Sequence, residues 1–381
     1  MDQRLASDAL LSRDAQSSID GASFPPVDDV APVHGGEPAA SAQGIRAPRN
    51  GLRQSLVNLI PPAFFLLVCL FWYFAPPALV EQPATLILVG VAISFSVLGL
   101  EWLFERHADW RLNRVEFATD LFYVILSYTA IAWTTTTLAE APLTALKASL
   151  GIKTEWATRM PFFAQTALVF FRIEFGQYWM HRLMHNWTPF WMTHAPHHHI
   201  TQLNAMKGYV GNPVELFLIS LSVVALFDFD TAPLFCAFSL LGVVSTFAHA
   251  NVRADPPLFY SFFFTTIRHH SLHHSVGYEV TRCNYGNSLI LIDRILGTYR
   301  EGEGILVGQD ERKRLSIREQ FLFPFVPLID AIKARRSRPD SATGVEKANQ
   351  SLQRNTGRRR ACLRRPDNKP LPEFRRGESE Q

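Results

Sequence analysis

The chain has little cysteine and almost no excess of either charge. Its four cysteines among 381 residues, Cys69, Cys236, Cys283 and Cys362, are scattered and form no Cys-x-x-Cys pair. That spacing excludes a disulfide framework and a cysteine-based zinc finger. The formal net charge of +3 is too small to argue for a nucleic-acid partner. No His-Pro-Gly-Gly haem signature, iron–sulfur cysteine run or dinucleotide fingerprint is present. Any redox chemistry would therefore draw its electrons from a separate protein. Residues 1–20 are polar and acidic, without an apolar core or a small-residue cleavage site. No secretory signal is expected there, and a reducing, cytoplasm-facing catalytic region fits best.

Long apolar segments are what the chain has instead. Hydrophobic residues make up 48% of it, aromatics 12%, and 29 residues are Phe. Four stretches approach the twenty residues that cross a bilayer: about Leu56–Ala75, Ala84–Phe104, Phe117–Leu138 and Pro161–Met180. Two shorter runs, Pro213–Phe229 and Ala232–Ala248, read as a hydrophobic hairpin that either spans or re-enters the membrane. The predicted fold class is an all-α integral membrane protein, with about four transmembrane helices, that hairpin, and a helical cap. Residues 1–50 and 333–381 read as tails, the second basic with fourteen Lys or Arg against six acids. A catalytic domain is left at 51–332.

Arg46, Arg49 and Arg53 precede the first stretch, and Arg106, Arg111 and Arg114 separate the second from the third. The positive-inside rule then puts the N-terminus, the histidine clusters and the C-terminus in the cytoplasm.

Eleven of the thirteen histidines fall between His181 and His274, in the clusters HRLMH, HAPHHH and HHSLHH with His249 between the last two. Neutral imidazole is a common metal ligand, and residues three or four apart share a helix face. His181, His185, His194, His197, His198, His249, His270, His273 and His274 are nine candidate ligands, too many for one ion and about right for two. No Glu-x-x-His pair of the soluble di-iron bundles accompanies them. Pro196 predicts that a helix begins there, with His194 on the turn before it. Metal-bound histidines need partners on the other ring nitrogen. The candidates for that outer role are His199, His269, Asn204, Glu215, Asn251, Asn284 and Asp293. His107, in the basic loop, is expected to be solvated.

HRLMH, HAPHH, and HSLHH followed by NYG and DRILGTY resemble the fatty acid hydroxylase and sterol desaturase superfamily, from about Arg106 to Phe325. Glu174, and Arg282 with Cys283, depart from its common pattern. The resemblance implies a membrane di-iron centre held by those nine histidines, with no catalytic residue beyond the metal ligands. It implies O2 as co-substrate, a membrane lipid (fatty-acyl, sterol or isoprenoid) as substrate, and a cytochrome- or ferredoxin-type electron donor docking on the basic face. Zinc is a possible substituted metal. Hydroxylation is preferred to desaturation, because it needs only one hydrogen abstraction in register. The alternatives are a non-catalytic zinc protein of the same fold, and a metal transporter.

Overall fold

The computed structural model describes residues 51–309 and 312–337, so the expected tails at 1–50 and beyond 337 lie outside the described residues. Among the described residues the regular structure is helical, with only two isolated bridges, Glu105 with Val252 and Ser275 with Val307. The fold is all-α, as the apolar patterning requires.

Helices α1 (Leu52–Asn58) and α2 (Ile60–Phe74) meet at a 44° bend, where Pro61 and Pro62 open α2 and prevent α1 from continuing. Helix α3 covers Pro83–Leu103, and α4 runs unbroken over Arg114–Ser149. The Asn113 side chain caps α4 by accepting from the amides of Val115 and Glu116. Two π-turns, Ser127–Ile131 and Thr136–Glu140, interrupt its α-helical bonding. Then come α5 (Phe162–Asn186), α6 (Thr188–His198), α7 (Pro213–Ser220), α8 (Thr231–His249) and α9 (Ile267–His273). Helix α10 (Leu291–Leu296) ends at Gly297, whose φ of 74° is left-handed. Helices α11 (Ile317–Leu322) and α12 (Val326–Ser337) are joined by a 3-10 turn that takes up Pro324. Helix α12 crosses the expected domain edge at 332.

Helices α3, α4 and α8 are long and apolar enough to cross a membrane, and the bent pair α1–α2 makes a fourth when taken as one span. Among the described residues that makes three, or four with the bent pair, against the expected four, and the membership differs. The Pro161–Met180 stretch becomes α5, which Gln165, Arg172, Glu174 and Gln177 keep out of that group. The expected hairpin is unequal: its second arm is the span-length α8, while its first arm stops being α-helical after eight residues. Past Ser220 the chain is tied sideways, for Asp228 pairs with Lys147 and accepts from the amide and hydroxyl of Thr154. Apolar run length could not reveal that tether.

Helix α8 packs against α2, α3, α5 and α9. Trp72 of α2, almost wholly buried, donates its indole N–H to the Ser239 hydroxyl of α8 at 2.9 Å. Between spans in lipid, such packing and hydrogen bonding carry association, because lipid tails are as apolar as the interface.

A buried ionic knot fixes the segment between α6 and α7. The Lys207 ammonium sits between Glu116 and Asp120 of α4, and Asn204 donates to Asp120 at 2.8 Å. Removing one partner of a buried pair leaves an uncompensated charge, a cost of about 3–5 kcal/mol. Lys207→Met is therefore expected to lower the thermal midpoint of the detergent-purified protein sharply, while Lys313→Met, at an exposed surface pair, barely moves it.

Candidate metal centre

Two helices and two helix ends bring the nine histidines together. Helix α5 carries His181 and His185; α6 carries His194, His197 and His198; α8 ends on His249. Helix α9 carries His270 and His273, with His274 as its C-cap. They form two groups. His181, His185, His194, His198 and His273 make one, and His197, His249, His270 and His274 the other, with the ligating atoms of each within 4.8 Å of one another.

The division follows from helix geometry. At 3.6 residues per turn, i+4 lies about 40° to one side of residue i, and i+3 about 60° to the other. Thus 194 and 198 stay in the first group, while 197 reaches across to the second. In the same way 270 and 274 stay in the second group while 273 reaches back to the first. The spacing His-x-x-His-His is what lets one helix serve two sites. The expectation of one shared face is refined accordingly.

Pro196 does not begin a helix. Helix α6 starts at Thr188 with Pro189 in its first turn, so Pro196 and His194 both lie within it. An interior proline costs roughly 3 kcal/mol. The cost is met by packing, since every residue from Thr193 to His198 is buried.

The outer partners determine which ring nitrogen faces inward. Nδ1 of His181 donates to the Tyr285 carbonyl at 2.7 Å, His197 to Val210 at 2.6 Å, His249 to Ser245 at 2.8 Å and His273 to Cys283 at 2.8 Å. A carbonyl oxygen only accepts, so these four rings carry the proton on Nδ1 and turn a bare Nε2 lone pair inward. His194 turns Nδ1 to Glu215 Oε1 at 2.7 Å; with Glu215 ionised it takes the same tautomer. His185 turns Nδ1 toward the Thr281 hydroxyl at 3.4 Å. His198, His270 and His274 keep a buried Nδ1 without a protein partner, so packing orients them.

Inside, nitrogens face nitrogens. Nε2 of His194 lies 3.0 Å from that of His181 and 3.1 Å from that of His198. Nε2 of His270 lies 2.8 Å from that of His249 and 3.1 Å from that of His274. The inward Nε2 atoms of His185 and His273 are buried without any partner. Where both facing nitrogens carry lone pairs, as in His181 against an Nδ1-protonated His194, they repel unless a cation lies between them. Two imidazole nitrogens bound at right angles to one ion, each about 2.1 Å away, are about 3.0 Å apart. The donor set and its spacing fit a metal ion in each group.

Burial also keeps the rings neutral and ready to ligate. Desolvation pushes the pKa of the His194 imidazolium down to about 3, and lowers those of His197, His198, His270, His273 and His274.

Of the residues expected to support the ligands, Glu215 touches one directly. Asp293 acts at one remove: it accepts from the amides of Tyr285 and Gly286 and so holds the carbonyl that His181 uses. Asn284, at a left-handed φ of 52°, ties the His269 and Arg300 carbonyls. Asn204 belongs to the Lys207 knot, and Asn251 pairs with the backbone of His107. His199 packs on Phe323, and buried His269 sits beside Thr266 and Tyr299, so neither joins a group. His107 is buried against Trp110 and paired with Glu303 at 2.8 Å, not solvated as expected. Glu174 had no predicted partner; its carboxylate accepts from the amides of Ser288 and Leu289, pinning the loop of Tyr285 to α5.

A cavity of about 220 Å³ touches both groups through His181, His194, His197 and His249. Gln177, Asn287 and Ser288 give it a polar side, and Leu216, Ile219 and Leu241 an apolar one.

Residues 166–298 match the family described as Fatty acid hydroxylase, a stretch that holds all nine histidines. The chain is 29% identical over 222 residues to an ornithine lipid hydroxylase, OlsE, of Rhizobium tropici, covering 54% of this chain and 66% of that protein. It is 28% identical over 144 residues to the human alkylglycerol monooxygenase, covering 36% of this chain and 32% of the relative. The match thus spans less than two thirds of either relative. No solved structure matches significantly. The likeness to the fatty acid hydroxylase family thus covers about a third of the chain, the part that holds both histidine groups.

Two outcomes test the centre. His273→Ala, which opens the first group, is expected to lower bound metal in the purified protein, whereas His269→Ala, outside both groups, is expected to retain it. Metal-free protein should also lose stability as pH falls from 6.5 toward 3. In that window the unfolded chain takes up the proton that buried His194 refuses. Each such histidine removes up to about 1.4 kcal/mol per pH unit. A flat thermal midpoint between pH 7 and 5 in chelator-treated protein would contradict this.

Proposed function

We propose that the chain is a membrane di-iron oxygenase that hydroxylates a C–H bond of a lipid. One observation carries the reading: a cavity touching both imidazole groups is lined on one side by α8, a helix long and apolar enough to cross a bilayer. An unactivated C–H bond has no acidic proton, so no general base in this chain can begin the reaction. Iron, when bound, supplies the dioxygen chemistry that the side chains lack. Imidazole-only donors suit iron, as they also suit zinc and copper.

The protein's own part is placement. The carbonyls of Tyr285, Val210, Ser245 and Cys283 hold four rings at fixed angles. The apolar side of the cavity excludes water from the reacting carbon. Gln177, Asn287 and Ser288 offer hydrogen bonds to a product hydroxyl or a neighbouring polar group. The relatives, named a lipid hydroxylase and a monooxygenase, support this class of reaction.

We take the catalytic domain to run from residue 51 into α12, with the histidine groups on the cytoplasmic side. Basic residues at 46–53 and 106–114 support that orientation. Electrons would come from a cytochrome- or ferredoxin-type protein. Exposed Arg268, beside the third histidine cluster, and exposed Arg300, whose carbonyl Asn284 ties to that of His269, suit an acidic partner.

The test is metal analysis of protein expressed with iron, followed by turnover with reduced donor, membrane lipids and isotopically labelled O2. About two irons per chain, and a lipid alcohol carrying one labelled oxygen, are expected. One metal or none in folded protein would overturn the di-iron reading, and two zincs without turnover would favour a structural role.

A further inference from the structure

A second, larger cavity of about 630 Å³ adjoins the metal-centre cavity. The two share Gln177, Gly208, Tyr209, Gly242 and four further lining residues, so they meet. The larger one is bounded by α3 at Leu86, Gly90 and Ile93, by α4 from Ser127 to Glu140, and by α8 at Leu234, Phe235 and Phe238. Helix α3 packs on α8, and α4 packs on the segments from Lys207 to Ser220. The cavity lies in the space left between α3 and α4.

Both π-turns of α4 fall on this cavity, and π-bulges are frequent at functional sites. Its inner walls are apolar, while Thr135, Thr136, Glu140, Ser220 and Ser222 make one rim polar. The first π-turn carries Tyr128, whose hydroxyl meets that of Tyr209 at 3.0 Å. Tyr209 borders both cavities, so the pair stands at their junction. Gly242 of α8 also borders both, and a Cβ there would meet no atom within 4 Å.

We propose that this space admits the flexible chain of an amphiphile sideways from the bilayer, and that Tyr128 with Tyr209 is the neck that sets how far the chain reaches toward the metal centre. A linear chain threads such a neck, whereas a rigid fused-ring lipid must break the tyrosine pair to pass. Tyr128 then determines which carbon is oxidised, and Gly242 keeps the passage open. The inference rests on the oxygenase reading for its chemistry but not for the passage itself.

Two readouts on the full-length, iron-loaded protein separate the two. The first maps covalent labelling by a long-chain fatty alcohol bearing a photoreactive diazirine. The second maps the position of the new oxygen on a linear-chain lipid. Wild type should be labelled both around Leu86 and Thr136 and beyond the neck around Ser245 and Asn287, which line the smaller cavity and not the larger. Gly242→Leu, which fills open space and favours the helix, should keep the outer labels and the metal. It should lose the inner labels and the product, with Gly242→Ala intermediate. Tyr128→Ala should move the oxidised position along the chain, while Tyr128→Phe, which keeps the ring, should move it less.

Inner labelling and product unchanged in Gly242→Leu would overturn the passage. An unmoved oxidation site in Tyr128→Ala would overturn the neck. Labels confined to the separate cleft of about 610 Å³ beside Trp102 and Arg111 would place the lipid elsewhere. Wild type labelled beyond the neck, yet oxidising no lipid, would leave the passage standing and remove the oxygenase reading.

Discussion

Nine imidazoles buried from water impose one constraint on everything around them: each ring has two polar nitrogens, and each nitrogen must be accounted for. Burial disfavours the doubly protonated form. A neutral ring donates from one nitrogen and accepts at the other, so an array of such rings needs acceptors on its outside and a Lewis acid on its inside. The outside is supplied largely by backbone carbonyls at Val210, Ser245, Cys283 and Tyr285. The loops that present the carbonyls of Val210, Cys283 and Tyr285, and the turn of α8 that presents that of Ser245, are therefore as much a part of the site as the rings.

That dependence explains the polar clamps with no ring contact of their own. Asp293 and Glu174 close on consecutive amides of the 285–289 loop from opposite directions, one from α10 and the other from α5. Lys207, Asp120 and Glu116 hold the start of the segment that ends at the Val210 carbonyl. Each clamp takes buried charge, which is expensive in an apolar protein and worthwhile only where position matters more than stability. They all lie within a few residues of a carbonyl that orients a ligand.

The nine histidines that gather into the two groups were legible in the sequence as candidates, because side-chain identity and helical spacing are both written there. His181 with His185 reads as a pair on one face, and the His-x-x-His-His clusters read as ligands. Their division between two groups follows from the same 3.6-residue period. The outer partners were not legible, for a carbonyl oxygen belongs to every residue and nothing in the type of Val210 or Cys283 marks it. The amides chosen from sequence, Asn204 and Asn251, were candidates by type alone, and the fold employs them on backbone and carboxylate neighbours. Apolar periodicity located the long helices but could not tell the first arm of the 213–248 pair from a span. A lateral tie, Asp228 to Lys147, ends that arm, and hydropathy does not register such ties. Local propensity at Pro196 failed for the opposite reason: tertiary burial of the histidine face outweighed it.

The unequal division of the histidines bears on where a substrate can act. Five rings would hold an ion in the first group and four in the second, so the second would offer the fewer protein donors. Both groups contribute rings to the wall of the smaller cavity, so a group arriving there meets the two sites together rather than either alone. His249 differs from the rest because it comes from the end of a span-length helix whose earlier turn, at Gly242, borders the passage from the larger cavity. The group with the fewer rings is therefore joined through one helix to the proposed route for a lipid chain. A shift of α8 would change both at once, which ties the register of the chain to the geometry of the second group.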